Sequence, residues 1–475
     1  MDNKLCIVHT NDLHGFVVEN DNVIGYPKIA GFADSYRKKY PKTLVLDAGD
    51  SFQGSVYASY DGGESLMNII NSVGYDAATA GNADIYLGKD KFCYLAGKLE
   101  FPILCSNLKL KETGQNLENT QDYTIVDLDG LKVGIIGVTP FVSLDMVRDS
   151  CEFTDPIARA KELIAEIGDE VDVLVGLLHL GTGEYQYSIE EFSAEITDFD
   201  VLIDAHSHNI MNTTLNGTPS IQTGAFSTNV GVVVMDLDDN NKVTGVTTEL
   251  FPKESFADVP VKPETQALVD KLLVDYKSVT AEVVGNTEIL LNAKRGIIRT
   301  SETNSGNLFT DAMCDYTGNS VAVTYSAFIA GEIGPGEVTQ GDILALARIE
   351  QMVLTVEITG AQLLEGLNHS VSLYPGEYGL FFQVSGIKFT FNPNLPKDNR
   401  VVSVLINGEP LVKDKKYEVA CCESLYMSLP GFSESKLLKK WDYTNVVMRA
   451  YFDKYKTVNP QVEGRILPVD SGEAL

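Results

Sequence analysis

Five apolar runs of this chain each lead to a residue that can hold a metal ion. Leu5-Cys6-Ile7-Val8 leads to Asp12-Leu13-His14, an acid and an imidazole two residues apart. Leu44-Val45-Leu46 leads to Asp50, and Tyr75-Asp76-Ala77-Ala78 to Asn82. Val171-Asp172-Val173-Leu174-Val175 leads on to His179, and Val201-Leu202-Ile203 to His206 and His208. These oxygen and nitrogen donors suit zinc, manganese, iron or cobalt better than calcium, which prefers oxygen alone. Sharing one acid, they divide into two sets. Asp12, His14, Asp50 and His208 would hold one ion, and Asp50, Asn82, His179 and His206 the other. Two carboxylates against two divalent ions leave the site positive, which attracts phosphate. A metal pair about 3.5–4 Å apart lowers the pKa of a bridging water and clamps the attacking and leaving oxygens of a displacement. The pattern therefore predicts a metal-activated hydroxide attacking phosphorus in a phosphoester. The chain has only six histidines, and four end such runs. His9 and His369 are read as core or surface residues.

Ligands so arranged need elements that end together. Strand-like and helix-like runs alternate through the first half, which indicates a layered α/β domain. Apolar spacing predicts a helix over 26–40 with a basic end, Arg37-Lys38-Lys39, suited to a helix C-terminus. Another is predicted over 65–73, closed by Gly74, and a third from Asp155-Pro156 to Ile167, opened by an N-cap acid and a first-turn proline. Strands are predicted over 101–105, 133–138 and 232–237. Ligands beyond the C-terminal ends of strands are where open α/β sheets bind. A long helix over 262–276 and a strand-like stretch over 283–291 follow. From about Thr300 a second unit begins, with a helix over 304–316 and β-rich runs over 352–358, 386–391, 401–406 and 417–421.

A chain of 475 residues is too long for one core, so two or three domains are expected. With 66 acids against 37 bases the net charge is −29, which argues against a nucleic-acid polymer or an anionic membrane as partner. An anionic small molecule would need local positive charge, which bound metals would provide. Seven cysteines form no evident disulfide framework; Cys6 and Cys105 read as buried thiols, and Cys421-Cys422 are poorly placed to pair. No apolar stretch reaches membrane-spanning length. No leader precedes Leu5, an expectation that fits a cytoplasmic protein or an exported one whose leader has been removed.

The segments His9-Thr10-Asn11-Asp12-Leu13-His14-Gly15, Asp47-Ala48-Gly49-Asp50-Ser51-Phe52-Gln53-Gly54, Gly81-Asn82, His179-Leu180-Gly181 and His206-Ser207-His208 resemble the 5′-nucleotidase family of calcineurin-like metallophosphoesterases. That family includes UDP-sugar hydrolases and 2′,3′-cyclic phosphodiesterases. The second half is similar to its substrate domain at Glu302-Thr303-Asn304-Ser305-Gly306-Asn307-Leu308 and at Gln383-Val384-Ser385-Gly386. The resemblance implies an α/β fold, α+β overall. Residues 1–280 would form a four-layer αββα metallophosphoesterase domain. Residues 281–475 would form an α/β domain that binds the nucleoside, joined through the helix near 304–316. It implies two divalent metal ions and a small-molecule nucleotide or related phosphoester as substrate.

By position, Phe381 and Phe432 match the two rings that clamp the base, by stacking. Where the family has Asn-His-Glu and then Asp, this chain reads Asn82, Ala83, Asp84 and Tyr86. The histidine that assists the transition state is therefore absent, and Asn82 and Asp84 are the expected catalytic residues. The family's glycine-rich loop ending in arginine appears as Tyr325-Ser326-Ala327-Phe328-Ile329-Ala330. The lost arginine leaves Arg348 as the expected replacement for substrate charge.

Overall fold

The computed structural model describes residues 3–141, 150–183, 185–347, 349, 351–473 and 475. The chain divides into two compact units, Met1–Val274 and Asp275–Leu475.

The first unit is built on two facing sheets. One has seven strands, in the order Val243–Pro252, Asn229–Leu237, Lys4–Thr10, Lys42–Asp47, Ala77–Thr79, Ile103–Leu104 and Thr120–Gln121. The other has six, in the order Ile210–Leu215, Thr218–Thr223, Val201–Ile203, Val173–Leu178, Leu131–Val138 and Tyr123–Leu128. Period-2 alternation assigns every strand two different faces. Leu5 and Ile7 enter the layer between the sheets with Leu44, Leu46, Ile135 and Val175, while Cys6 and Val8 face the helices Tyr26–Lys39 and Glu64–Val73. On the far side, Ile136, Val138 and Leu174 pack with Leu163 and Phe192 of the helices Pro156–Ile167 and Ile189–Glu195. The result is four layers, helix-sheet-sheet-helix.

Lys4–Thr10, Lys42–Asp47 and Ala77–Thr79 are parallel, as are Leu131–Val138, Val173–Leu178 and Val201–Ile203. The C-terminal ends within each set therefore share one edge, and all the expected ligands follow those ends. Ile103–Leu104 is shorter than the predicted strand. The stretch over 283–291 is two strands, Val283–Thr287 and Leu291–Ala293, which pair with different partners. The Thr287 hydroxyl donates to the Ile289 carbonyl and turns the chain between them.

The second unit holds a five-stranded sheet (Phe382–Ser385, Ala322–Tyr325, Lys416–Cys422, Met352–Thr359, Lys436–Tyr443) and a four-stranded one (Glu409–Pro410, Val401–Ile406, Ile387–Phe391, Ile466–Pro468). The helix expected to join the domains, Asn304–Thr317, lies within this unit. Its apolar side, Leu308, Phe309, Ala312 and Met313, belongs to the unit's own core, so it is a core helix. The element that crosses the division is Pro263–Thr280. All seven cysteines are unpaired, and no described helix is long and apolar enough to cross a membrane.

The helix Pro156–Ile167 begins at Asp155, whose carboxylate accepts the N–H groups of Ile157 and Ala158. Asp155→Ala should therefore lower stability by about 1 kcal/mol, read by calorimetry as a fall of about 2–4 °C in the first unit's midpoint.

Candidate metal centre

One ligand atom from each of Asp12, His14, Asp50 and His208 lies within 4.8 Å of the others. His208 Nε2 is 3.4 Å from Asp12 Oδ1, and His14 Nε2 is 3.7 Å from Asp50 Oδ2. The Nε2 atoms of His14 and His208 are 3.1 Å apart. His179 enters from the other sheet, with Nε2 3.4 Å from Asp50 Oδ2 and 3.8 Å from Asp12 Oδ1. Its ring lies beside that of His206, centroids 5.2 Å apart.

The backbone holds this crowding in place. Asp12, His14, Asp50, His206 and His208 all have φ between +50° and +75°, a region that costs a non-glycine residue on the order of 1–3 kcal/mol and persists only where its surroundings impose it. Here the turns brace one another. Asp12 N–H donates to Gly49 C=O (2.9 Å), and His14 N–H to Asp50 C=O (2.8 Å). His206 N–H donates to the Asp12 carboxylate, 3.1 Å from Oδ2. Gly81 supplies room: a Cβ there would stand 2.1 Å from Asp50 Oδ1 and 2.6 Å from His179 Cε1.

Asp50 Oδ1 accepts Ala83 N–H at 2.6 Å, which leaves Oδ2 facing the imidazoles. Burial pushes the Asp50 carboxyl up, but His179 beside it reverses the effect and holds it well below the usual carboxylate range. Burial likewise disfavours charge on His179, and the Asp50 and Asp12 carboxylates overcome it, raising the imidazole to about 10. The site thus asks for positive charge at His179 Nε2, which a proton or a metal ion can supply. His179 Nδ1 lies 2.6 Å from Ala48 C=O, so Nδ1 carries a proton and Nε2 faces the site. Asn82 Oδ1 and His179 Nε2 are buried with no hydrogen-bond partner. That is the condition of ligand atoms whose partner is a cation, and the donor set fits divalent metal.

Residues 6–209 match the family model for calcineurin-like phosphoesterases, and residues 283–433 that for the 5′-nucleotidase C-terminal domain. The chain belongs to the 5′-nucleotidase family of calcineurin-like phosphoesterases. Over 98% of its length it is 27% identical to the trifunctional nucleotide phosphoesterase protein YfkN of Bacillus subtilis, of which it spans 35%. Over 99% it is 25% identical to a 5′-nucleotidase of Diplobatis ommata, of which it spans 91%. Its fold is similar to that of a 5′-nucleotidase precursor from Thermus thermophilus, with a TM-score of 0.71 and 24% identity over 98% of this chain and 100% of that one. A putative 5′-nucleotidase from Staphylococcus aureus has a TM-score of 0.81 at 18% identity, over the same shares of the two chains.

Asp84, one of the two catalytic residues expected from sequence, is taken up by backbone donors. It is 1% exposed. Oδ2 accepts the N–H groups of Asp50 and Gly81, both at 2.9 Å, and Oδ1 those of Ser51 (3.0 Å) and Phe52 (2.8 Å). A carboxylate receiving four backbone donors has no direction left for a substrate proton. Asp84 positions the Asp50 turn instead. Ala83 beside it is buried, and Tyr86 is 47% exposed.

In the second unit, Phe381 and Phe432 are 1% and 0% exposed, which corrects the expectation that they clamp a base. The segment Tyr325-Ser326-Ala327-Phe328-Ile329-Ala330 brings in bulky rings. Tyr325 packs on Phe328 and Phe382 at centroid distances of 5.5 and 5.8 Å, and Phe382 on Phe432 at 6.0 Å. Arg348 lies outside the described residues. His9 is fully buried, and His369 Nε2 lies 2.8 Å from the Tyr378 hydroxyl.

Two supporting acids were not expected from sequence. Asp47 accepts the Thr10 hydroxyl (2.6 Å), the Ser51 hydroxyl (2.9 Å) and Gly49 N–H (3.0 Å), tying two ligand turns together. Asp204 accepts Leu180 N–H (2.8 Å) and the Gln222 amide (2.6 Å), tying the His179 turn to the His206 turn. Burial pushes both carboxyls up to about 6. Their only sequence signal is adjacency to the ligands.

Asp84→Asn replaces an acceptor oxygen with a donor facing backbone N–H groups. It should lower stability by about 2–4 kcal/mol, since hydrogen bonds to a buried charge are among the stronger ones, and it should also lower bound metal. Denaturant unfolding and elemental analysis by plasma mass spectrometry read the two effects.

Proposed function

We propose that the chain is a dinuclear, metal-dependent phosphohydrolase acting on nucleotides or related phosphoesters. One observation carries this reading: Asp12, His14, Asp50 and His208 lie within 4.8 Å of one another, with His179 Nε2 3.4 Å from Asp50 Oδ2. Asp12, His14, Asp50 and His208 would hold one ion, and Asp50, Asn82, His179 and His206 the other. When bound, divalent ions supply Lewis-acid activation of water and neutralise phosphoryl charge. The residues of the chain do the positioning. Ala48 C=O and Gln53 C=O take the Nδ1–H of His179 and His14 and so aim both Nε2 atoms inward. The Asp50 carboxylate, anchored through Ala83 N–H, would be the residue common to both ligand sets.

Relatives named as 5′-nucleotidases and as a nucleotide phosphoesterase support nucleotides as the substrate class. The altered residues narrow it. With Ala83 in place of the histidine, Tyr86 in place of its aspartate and Asp84 engaged by backbone, the transition-state hydrogen bond or general acid that the family's histidine supplies is missing. Losing a general acid slows reaction by about 10²–10⁴-fold. That loss weighs most on an alkoxide leaving group, such as a nucleoside, and least on a phosphoanhydride or an aryl phosphate. The same substitutions, together with Ala330 in place of the family's arginine, favour a second reading, in which the chain binds metal and nucleotide with little turnover.

Steady-state assays with manganese, cobalt or zinc on nucleotides, cyclic nucleotides, nucleotide sugars and 4-nitrophenyl phosphate separate the readings. Metal-dependent turnover, fastest on the better leaving groups, is the expected result; nucleotide binding without product release would favour the second. Ala83→His with Tyr86→Asp should raise kcat on nucleoside monophosphates by about 10²-fold or more, and on the aryl ester much less.

A further inference from the structure

Two aromatic rings stand exposed beside the histidines of the first unit. Phe226 is 37% exposed and Tyr185 is 44% exposed. The Phe226 centroid lies 5.3 Å from that of His14, 5.1 Å from that of His208 and 5.1 Å from that of Phe16. Tyr185 lies 4.4 Å from His206. Other rings, such as Tyr94 and Tyr455, are as exposed, so what sets this pair apart is its place against the histidine cluster, and that placement has a cause.

The local backbone supplies one. Phe226 and Ser227 both adopt left-handed conformations, φ +57° and +59°, a strain that must be imposed from outside the turn. Phe226 N–H donates to Asp12 C=O, and Ser227 C=O accepts Ile24 N–H, both at 2.8 Å. The Ser227 hydroxyl accepts Gly25 N–H at 3.2 Å. The hydrogen bond to Asp12 links the presentation of the ring directly to a ligand turn. On the other side, Gly181 leaves room for the tyrosine: a Cβ there would stand 2.9 Å from the Tyr185 ring and 3.2 Å from His206 Cδ2.

We propose that Phe226 and Tyr185 form an aromatic subsite that takes the planar aromatic group of a phosphoester whose phosphate lies at the cation positions. The substrate class is an ester in which an aromatic ring sits close to phosphorus, such as an aryl phosphate. This rests on the phosphohydrolase reading of the same site and deepens it. Stacking on an exposed π-face recognises flatness and requires no particular hydrogen-bond pattern. It also agrees with a site lacking its usual general acid, because aryl oxides leave without one.

Calorimetric titration of manganese-loaded protein with phenylphosphonate and with methylphosphonate reads the subsite without turnover. Phenylphosphonate should bind about tenfold tighter, the order that base–aromatic stacking supplies. Phe226→Leu and Tyr185→Ala should reduce that preference, and Phe226→Tyr and Tyr185→Phe, which keep a ring, should retain it. Absence of the preference in the unaltered protein, or its survival in Phe226→Leu/Tyr185→Ala, would overturn the subsite. So would equal losses for both phosphonates accompanied by loss of manganese, the result expected if the rings only pack the imidazoles. A retained aryl preference with no turnover of any ester would instead count against the phosphohydrolase reading alone.

Discussion

Asp50 has different partners on its two oxygens, and the site depends on both. Oδ1 is fixed by Ala83 N–H, while Oδ2 faces His14 and His179, which arrive from different sheets at 3.7 and 3.4 Å. A carboxylate placed there in left-handed backbone would relax unless its turn were held. The hold comes from Asp84, which takes the N–H groups of Asp50, Ser51 and Phe52 together with that of Gly81. Gly81 precedes Asn82, so one buried carboxylate sets the positions of two expected ligands. Electrostatics and geometry are therefore coupled: Asp84 fixes the turn, the turn aims Asp50, and Asp50 with Asp12 creates the demand for cations.

The surrounding fold makes such a demand tolerable. The apolar layer between the sheets fixes the strands, and parallel pairing brings their C-terminal ends to a common edge. Above that layer two buried carboxylates are matched by donors. Asp47 and Asp204 each receive hydroxyl, amide or backbone donors, and each joins two ligand turns. Left-handed backbone at Asp12, His14, Asp50, His206 and His208, and at Phe226 and Ser227, sits where backbone hydrogen bonds between turns can sustain it.

Much of this was legible in the chain itself, for definite reasons. Alternating burial in strands such as Lys4–Thr10 leaves a period-2 signal, and a polar ligand type after each apolar run marks a strand end. The cap at Asp155-Pro156 is local and reads directly. What was not legible depends on contacts distant in sequence. The partners of Asp84 are backbone groups in the Asp50 turn, which no side-chain pattern reports. Phe381 and Phe432 match clamp positions, but both lie in the core of the second unit, where Phe432 packs against Phe382. The helix Asn304–Thr317 announces an apolar face without saying which core covers it. The exposure of Phe226 follows from a turn held by Asp12, and nothing in the spacing of aromatic residues signals it.

The first unit keeps every expected metal ligand and carries Ala83 and Tyr86 after Asn82, while the second buries Phe381 and Phe432 in its core. Anomalous diffraction from crystals grown with manganese tests the central claim most directly. Two peaks are predicted on either side of the Asp50 carboxylate, one toward His14 and His208 and one toward Asn82 and His179. No peak there, or manganese bound only where Asp50 takes no part, would contradict it.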